Sequence, residues 1–224
     1  MNINNSLKKF GTVDVSCIKD KVALLTDVDW QKSDWRQKKY GVHRYTQTIL
    51  LIFDEIFREG QPTILETFYE YDDFVRPMIE KVGAFFNNTL KAKRLGPKHG
   101  NGYVARLSLV NLLPGGVISP HLDHAFTLRH SHRVHIPITT NEGVIFIVGQ
   151  KKVHMEEGEL WEISNGQIHS VSNDGVENRV HLIIDWRIPG ERCCCGTRLR
   201  PQGLCSREEC YATDNADSPC NCYS

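Results

Sequence analysis

Pro120-His121-Leu122-Asp123 sets an imidazole and a carboxylate two residues apart. In an extended segment residues i and i+2 point to the same face, so His121 and Asp123 can hold one metal ion together. A third ligand must come from another strand. His169, in the short run Ile168 to Ser172, is the candidate. Two imidazoles and a carboxylate on one face of an octahedron leave three positions open, the arrangement of non-haem Fe(II) oxygen chemistry. Zinc more often takes a closed tetrahedron or a three-ligand site carrying water. His-x-Asp by itself is a short motif, and polar residues beside a turn are the plain alternative.

Arg179 lies ten residues beyond His169, across Asn173-Asp174-Gly175, a hairpin signal. The pattern predicts that the His169 and Arg179 strands pair, with both side chains on one face. On the second strand Arg179, His181, Ile183 and Asp185 share that face, while Val180, Leu182, Ile184 and Trp186 share the other. A guanidinium buried beside a metal requires a carboxylate partner. A small dicarboxylate that also chelates the metal meets both demands. On the run His132 to Ile138, Arg133 and His135 point one way and Val134, Ile136 and Ile138 the other. Two polar groups then face inward, unless the stripe belongs to an exposed edge strand, which Pro137 favours.

The elements that position these residues differ along the chain. Within 1–100 the reading is mixed and partly helical, a part expected to pack on a barrel. Phe74, Val75, Met78, Ile79, Val82, Phe85 and Phe86 recur at helical spacing, with a start near Asp72–Asp73 or a kink at Pro77. Gly96-Pro97-Lys98-His99-Gly100-Asn101-Gly102 reads as a break. Within 101–190 short runs rich in Val, Ile and Leu follow one another between Gly, Pro, Asn and Asp: Val104 to Leu113, Arg133 to Thr139, Val144 to Val148, Leu160 to Ile163, Ile168 to Ser172 and Arg179 to Arg187. The expected fold is mainly β with flanking helices, around a double-stranded β-helix (jelly roll, cupin-like) core. Within 191–224 apolar residues give way to Gly, Pro, Ser and cysteine, which predicts a poorly ordered tail unless metal or disulfides staple it.

Histidine and cysteine are unevenly spread. Eight of ten histidines lie between His121 and His181, and seven of eight cysteines lie from Cys193 onward. Cys193-Cys194-Cys195, Cys205, Cys210 and Cys220-x-Cys222 fit no standard zinc spacing. Over 224 residues Lys+Arg and Asp+Glu balance at 27 each, so no basic field exists for nucleic acid. No apolar run reaches the roughly 18 residues of a membrane span, and no signal peptide is read at the start. The expected location is cytoplasmic, with neither nucleic acid nor membrane as partner.

The span from Arg106 to Trp186 resembles the aspartyl/asparaginyl β-hydroxylase family of Fe(II)- and 2-oxoglutarate-dependent dioxygenases. The likeness is carried by Leu113-Pro114-Gly115-Gly116 running into Ser119-Pro120-His121, by Gly166-Gln167-Ile168-His169, and by Arg179-Val180-His181-Leu182-Ile183-Ile184-Asp185-Trp186. It implies His121 and His169 as iron ligands and Arg179 on the distal carboxylate of 2-oxoglutarate, with Arg133 and His135 lining the same pocket. O2 would be the second cosubstrate. Two departures stand out. The vertebrate peptide hydroxylases lack a carboxylate two residues after the first histidine, where this chain has Asp123; the cis-proline hydroxylases that share the domain keep a free amino acid open as substrate. A serine that holds the cosubstrate in the peptide enzymes falls on Val110, and Ser108, on the same face, is the substitute.

The implied activity is hydroxylation of an amino acid side chain, of the peptidyl Asp/Asn type or in a free amino acid such as proline. His43 and Arg44 lie in a segment similar to one upstream of the barrel in bacterial relatives, and are expected near substrate. Arg129 and His132 are further candidates for substrate contact, in the loop before the Arg133 strand; His181 reads as structural. The alternative is a cupin-like metal-binding module without oxygenase activity, which has no need to hold a dicarboxylate beside its metal.

Overall fold

The computed structural model describes residues 7–31, 41, 44–54, 62–123, 128 and 131–191. His43, Arg129 and the cysteine-rich tail lie outside the described residues. In chain order the elements are β1 (Leu7–Thr12), α1 (Ser16–Ala23), α2 (Asp27–Gln31), β2 (Thr46–Phe53), β3 (Thr63–Ile64), α3 (Glu66–Tyr69), α4 (Asp72–Asn87) and α5 (Leu90–His99). The strands β4 (Tyr103–Leu112), β5 (Val117–His121), β6 (His132–Thr139), β7 (Val144–Val148), β8 (Lys151–Val153), β9 (Glu159–Ile163), β10 (His169–Asn173) and β11 (Arg179–Arg187) follow.

Two antiparallel sheets result, one ordered β1-β9-β6-β11-β4-β2-β3 and the other β5-β10-β7-β8. This is the expected jelly roll. Its central strand β11 alternates as the sequence predicts and is buried on both faces. Val180, Leu182, Ile184 and Trp186 join the helices in one core with Val75, Met78, Val82 and Phe86 of α4. A second core lies between the sheets, around Leu112, Ile118, Phe146, Val148, Met155 and Val171. Close approach of α4 to β11 depends on glycine, since a Cβ at Gly83 would meet Trp186 Cη2 at 2.8 Å.

Several expectations need correction. β10 and β11 do not pair: β10 runs between β5 and β7, and β11 between β4 and β6. Asn173-Asp174-Gly175 instead crosses from one sheet to the other. Asn173 pins this crossing, its buried amide donating to the carbonyls of Leu112 at 3.1 Å and Glu177 at 2.8 Å. A turn signal records that the chain reverses, and reversal between stacked sheets uses the same residue types as reversal within one. The break read over 96–102 begins later than expected, because α5 runs through Gly96 and Pro97 and stops at Gly100, whose φ is 89°. The β6 stripe is not on an edge; Pro137 sits in a central strand beside a register shift, where a missing N–H is tolerated. The first 64 residues supply three strands, β1, β2 and β3, where the sequence shows no clear alternation.

His132 does not face the barrel interior where substrate contact was expected. Neighbours on a strand point to opposite faces, so with Arg133 inward His132 turns toward the helices, its ring 4.5 Å from that of Phe86. There Nδ1 donates to Glu162 at 2.6 Å and Nε2 to Glu191 at 2.8 Å, while Lys91 of α5 pairs with Glu191. Burial opposes a charged ring, but hydrogen bonds to the two carboxylates outweigh it and raise the His132 pKa. Burial would raise Glu191, yet His132 holds it well below the usual carboxylate range.

His132→Ala should therefore cost about 3 kcal/mol, because two buried carboxylates lose their cation. A raised folded-state pKa gives stability that is complete below the ordinary histidine range and fades as pH rises through the folded value. The depressed Glu191 sets the acid limit, its contribution fading as pH falls through its folded value. Urea unfolding should show a wide gap between wild type and variant at about pH 6 and a narrower one at about pH 9; an unchanging gap would refute the charged cluster.

Candidate metal centre and active site

His121 ends β5, His169 opens β10, and the two are direct partners in the register of the small sheet. Opposed positions on antiparallel strands bring side chains together, and the rings lie 4.3 Å apart. Asp123, two residues past His121, completes a group whose possible ligand atoms all lie within 4.8 Å of one another. Asp123 Oδ2 and His169 Nε2 are 3.7 Å apart.

Local backbone chemistry presents the same nitrogen of each ring. Nδ1–H of His121 donates to the Ser119 carbonyl at 2.8 Å, and Nδ1–H of His169 to that of Gln167 at 3.1 Å. A carbonyl only accepts, so the proton sits on Nδ1 and Nε2 carries the lone pair that a cation would take. Burial lowers the His169 pKa, which favours the neutral form that a ligand must have.

Behind Asp123 stands Arg133. Its Nη1 donates to Asp123 Oδ2 at 2.6 Å, while Nε and Nη2 form a two-pronged bond with Asp185 at 2.8 and 2.9 Å. Burial opposes the charge, but Asp123 and Asp185 outweigh it and raise the Arg133 pKa. Asp185 lies in register between Arg133 of β6 and Arg106 of β4, and Arg106 pairs with Asp54 just past β2. Carboxylate and guanidinium thus alternate across the large sheet and end at the candidate metal ligand.

Arg179 is the opposite case. Only 1% exposed, it lines the same cavity as His121, Asp123 and His169, together with Val110, Arg133, His135, Phe146 and Ile183. Burial, with no carboxylate among the described residues to offset it, pushes its guanidinium down to about 9. Among the described residues Nε has no hydrogen-bond partner, and neither has Nε2 of His135. Burial and then Arg179 drive the His135 pKa far down, so this ring enters the cavity neutral. The site combines three grouped side chains that could hold a metal ion with an inward cation that needs an anion.

Residues 87–189 match the profile of the aspartyl/asparaginyl beta-hydroxylase family, a span that holds the grouped ligands and both guanidiniums. Over this stretch, a little under half of its length, the chain is similar to that family. No curated protein matches the chain. Among solved structures, the chain is similar to a viral collagen prolyl hydroxylase of Paramecium bursaria Chlorella virus-1, at 10% identity and a TM-score of 0.50, over 82% of this chain and 96% of that one. It is similar to a 2OG-Fe(II) oxygenase family oxidoreductase of Burkholderia pseudomallei, at 17% identity and a TM-score of 0.48, over 63% of this chain and 66% of that one. A Pseudomonas putida prolyl-4-hydroxylase aligns at 12% identity and a TM-score of 0.48, over 82% and 93% of the two chains. The viral enzyme, at this identity, speaks to the fold. Among the described residues no helix is long and apolar enough to cross a membrane.

The residues nominated from the sequence fall into three groups. His121, Asp123, His169, Arg133, His135 and Arg179 surround one cavity. Ser108 is buried on the inner face of β4, in register with Ile183, but Val110 is the β4 residue that lines the cavity. Arg44 is exposed, lies over the Tyr45 ring at 4.6 Å and does not line the cavity. Two residues were missed. Asp185 was legible as an inward carboxylate on a buried strand, which demands a cation, and Arg133 on the next strand supplied it. Phe146, 5.9 Å beneath the Arg179 guanidinium, gave no sequence signal beyond an apolar strand.

Asp185→Asn should weaken Fe(II) binding about 10- to 100-fold, since loosening Arg133 loosens Asp123. Equilibrium titration with Fe(II), or with Mn(II) as an oxygen-stable substitute, reads this directly. Wild-type affinity in the variant would show that Arg133 orients Asp123 without help.

Proposed function

We propose that this protein is a hydroxylase that binds Fe(II) through His121, Asp123 and His169, takes 2-oxoglutarate with its distal carboxylate on Arg179, and uses O2 to hydroxylate an amino acid side chain, in a peptide or as the free amino acid. The observation that carries this reading is Arg179, a buried guanidinium with no carboxylate partner among the described residues, lining the cavity of the three grouped ligands. A cupin-like metal-binding module has no use for such a cation. The substrate class rests on the family.

The chemistry such a centre supplies when loaded is oxidative decarboxylation of 2-oxoglutarate to succinate and CO2, coupled to insertion of the second oxygen atom of O2 into a C–H bond. The chain's own residues supply the geometry. His121 and His169 offer Nε2 because backbone carbonyls hold Nδ1–H. Asp123 offers a carboxylate oriented by Arg133. Arg179 offers positive charge within the cavity, and Val110, Ile118, Phe146, Val171 and Ile183 keep water from its walls. Neutral His135 adds a hydrogen-bonding group without adding charge.

Anaerobic titration of the apoprotein with Fe(II) and then 2-oxoglutarate tests the reading. A visible charge-transfer band near ~500 nm, the mark of a 2-oxo acid chelated to ferrous iron in a three-ligand site, is expected. Asp123→Ala should abolish Fe(II) binding. Arg179→Ala should keep Fe(II) but need about 100-fold more 2-oxoglutarate to develop the band, because a buried charge pair is lost. Iron binding without any band would return the chain to the metal-binding module.

A further inference from the structure

Arg179 has one polar partner within the described protein, and it is the histidine two residues along the same face of β11. Arg179 Nη2 donates to His181 Nδ1 at 2.7 Å. A guanidinium carries only donors, so Nδ1 of His181 must be the bare nitrogen and the ring proton must sit on Nε2. Both side chains are 1% exposed, so water does not replace this bond. His135 Nδ1 stands 3.4 Å from the same bare nitrogen. His181 itself does not line the cavity, whereas Arg179 and His135 do. It lies behind both and touches both.

We propose that His181 is the positioning residue for the cosubstrate cation, its bare Nδ1 holding the Arg179 guanidinium in the orientation that receives the distal carboxylate of 2-oxoglutarate. The inference rests on the cosubstrate reading above. An arginine side chain has several rotatable bonds, and ordering it costs rotamer freedom. Phe146, 5.9 Å away, restrains the plane of the group but gives its nitrogens no direction. His181 supplies that direction. An uncharged acceptor serves better than a carboxylate here, since Asp or Glu at this place would neutralise Arg179 and compete with the incoming anion.

Direct binding of 2-oxoglutarate to the Mn(II)-loaded protein, without turnover, tests this with two variants. His181→Phe keeps a ring of similar size and removes both nitrogens; it should weaken 2-oxoglutarate binding roughly tenfold or more while Mn(II) affinity stays at the wild-type value. His181→Asn places an amide oxygen where Nδ1 was and should recover most of the loss. Wild-type binding in His181→Phe, or equal weakening in both variants, overturns the inference and leaves the cosubstrate reading intact. Wild-type protein that binds Mn(II) but no 2-oxoglutarate overturns both. A variant-free measurement covers the case in which His181→Phe does not fold. In the long-range ¹H–¹⁵N histidine spectrum of the wild type, His181 should be protonated at Nε2 and bare at Nδ1; the opposite tautomer overturns the inference.

Discussion

A guanidinium taken out of water must be given negative charge or have its pKa lowered, and the two arginines that line the cavity meet this demand in opposite ways. Arg133 is clamped between Asp123 and Asp185, and all three nitrogens that bond are used inside the protein. Arg179 has a histidine nitrogen, an aromatic face and no carboxylate among the described residues. The first arrangement is complete and orients Asp123, the candidate metal ligand. The second is incomplete, and its incompleteness is what gives the cavity an appetite for an anion. Much of the interior follows from keeping the two cases apart: carboxylates gather on the Arg133 side, and neutral His135 and His181 on the Arg179 side.

Strand alternation lets two strands serve the helical layer and the site at once. On β6, His132 faces the helices and is held by Glu162 and Glu191, while Arg133 faces the interior and is held by Asp123 and Asp185. Adjacent buried cations thus stand on opposite sides of one sheet, each between two carboxylates. On β11 the apolar face fastens α4 to the sheet through Trp186, and the polar face carries Arg179, His181 and Asp185. Packing of the first hundred residues is therefore mechanically continuous with the site, through strands that have one side chain on each face per step.

Much of this was legible in the residues. The alternation of β11 and β6 gives the inward sets directly, because side-chain period in a strand is a local property. The i, i+2 spacing of His121 and Asp123, and the amphipathic face of α4, are local in the same sense. The cavity that joins His169 to Arg179 was anticipated through a hairpin that does not exist. Parity placed both side chains inward, and inward is correct whether the strands lie side by side or face each other across a sandwich. His132 went to the wrong side because it was counted with a loop rather than with the strand it begins.

What the sequence by itself determined is which side chains share a face, which runs are strands, and which residues could bind a metal or an anion. All of these follow from steric rules that act within a few residues. What only the tertiary structure decided is pairing. His121 opposite His169 in the small sheet, Asp185 between Arg133 and Arg106 in the large one, and His181 as the sole polar partner of Arg179 among the described residues each depend on register between strands distant along the chain. Register is set by the whole pattern of burial rather than by any local signal. For that reason the separate roles of Arg133 and Arg179, two inward arginines alike in sequence, emerge only when the carboxylates around them have been located.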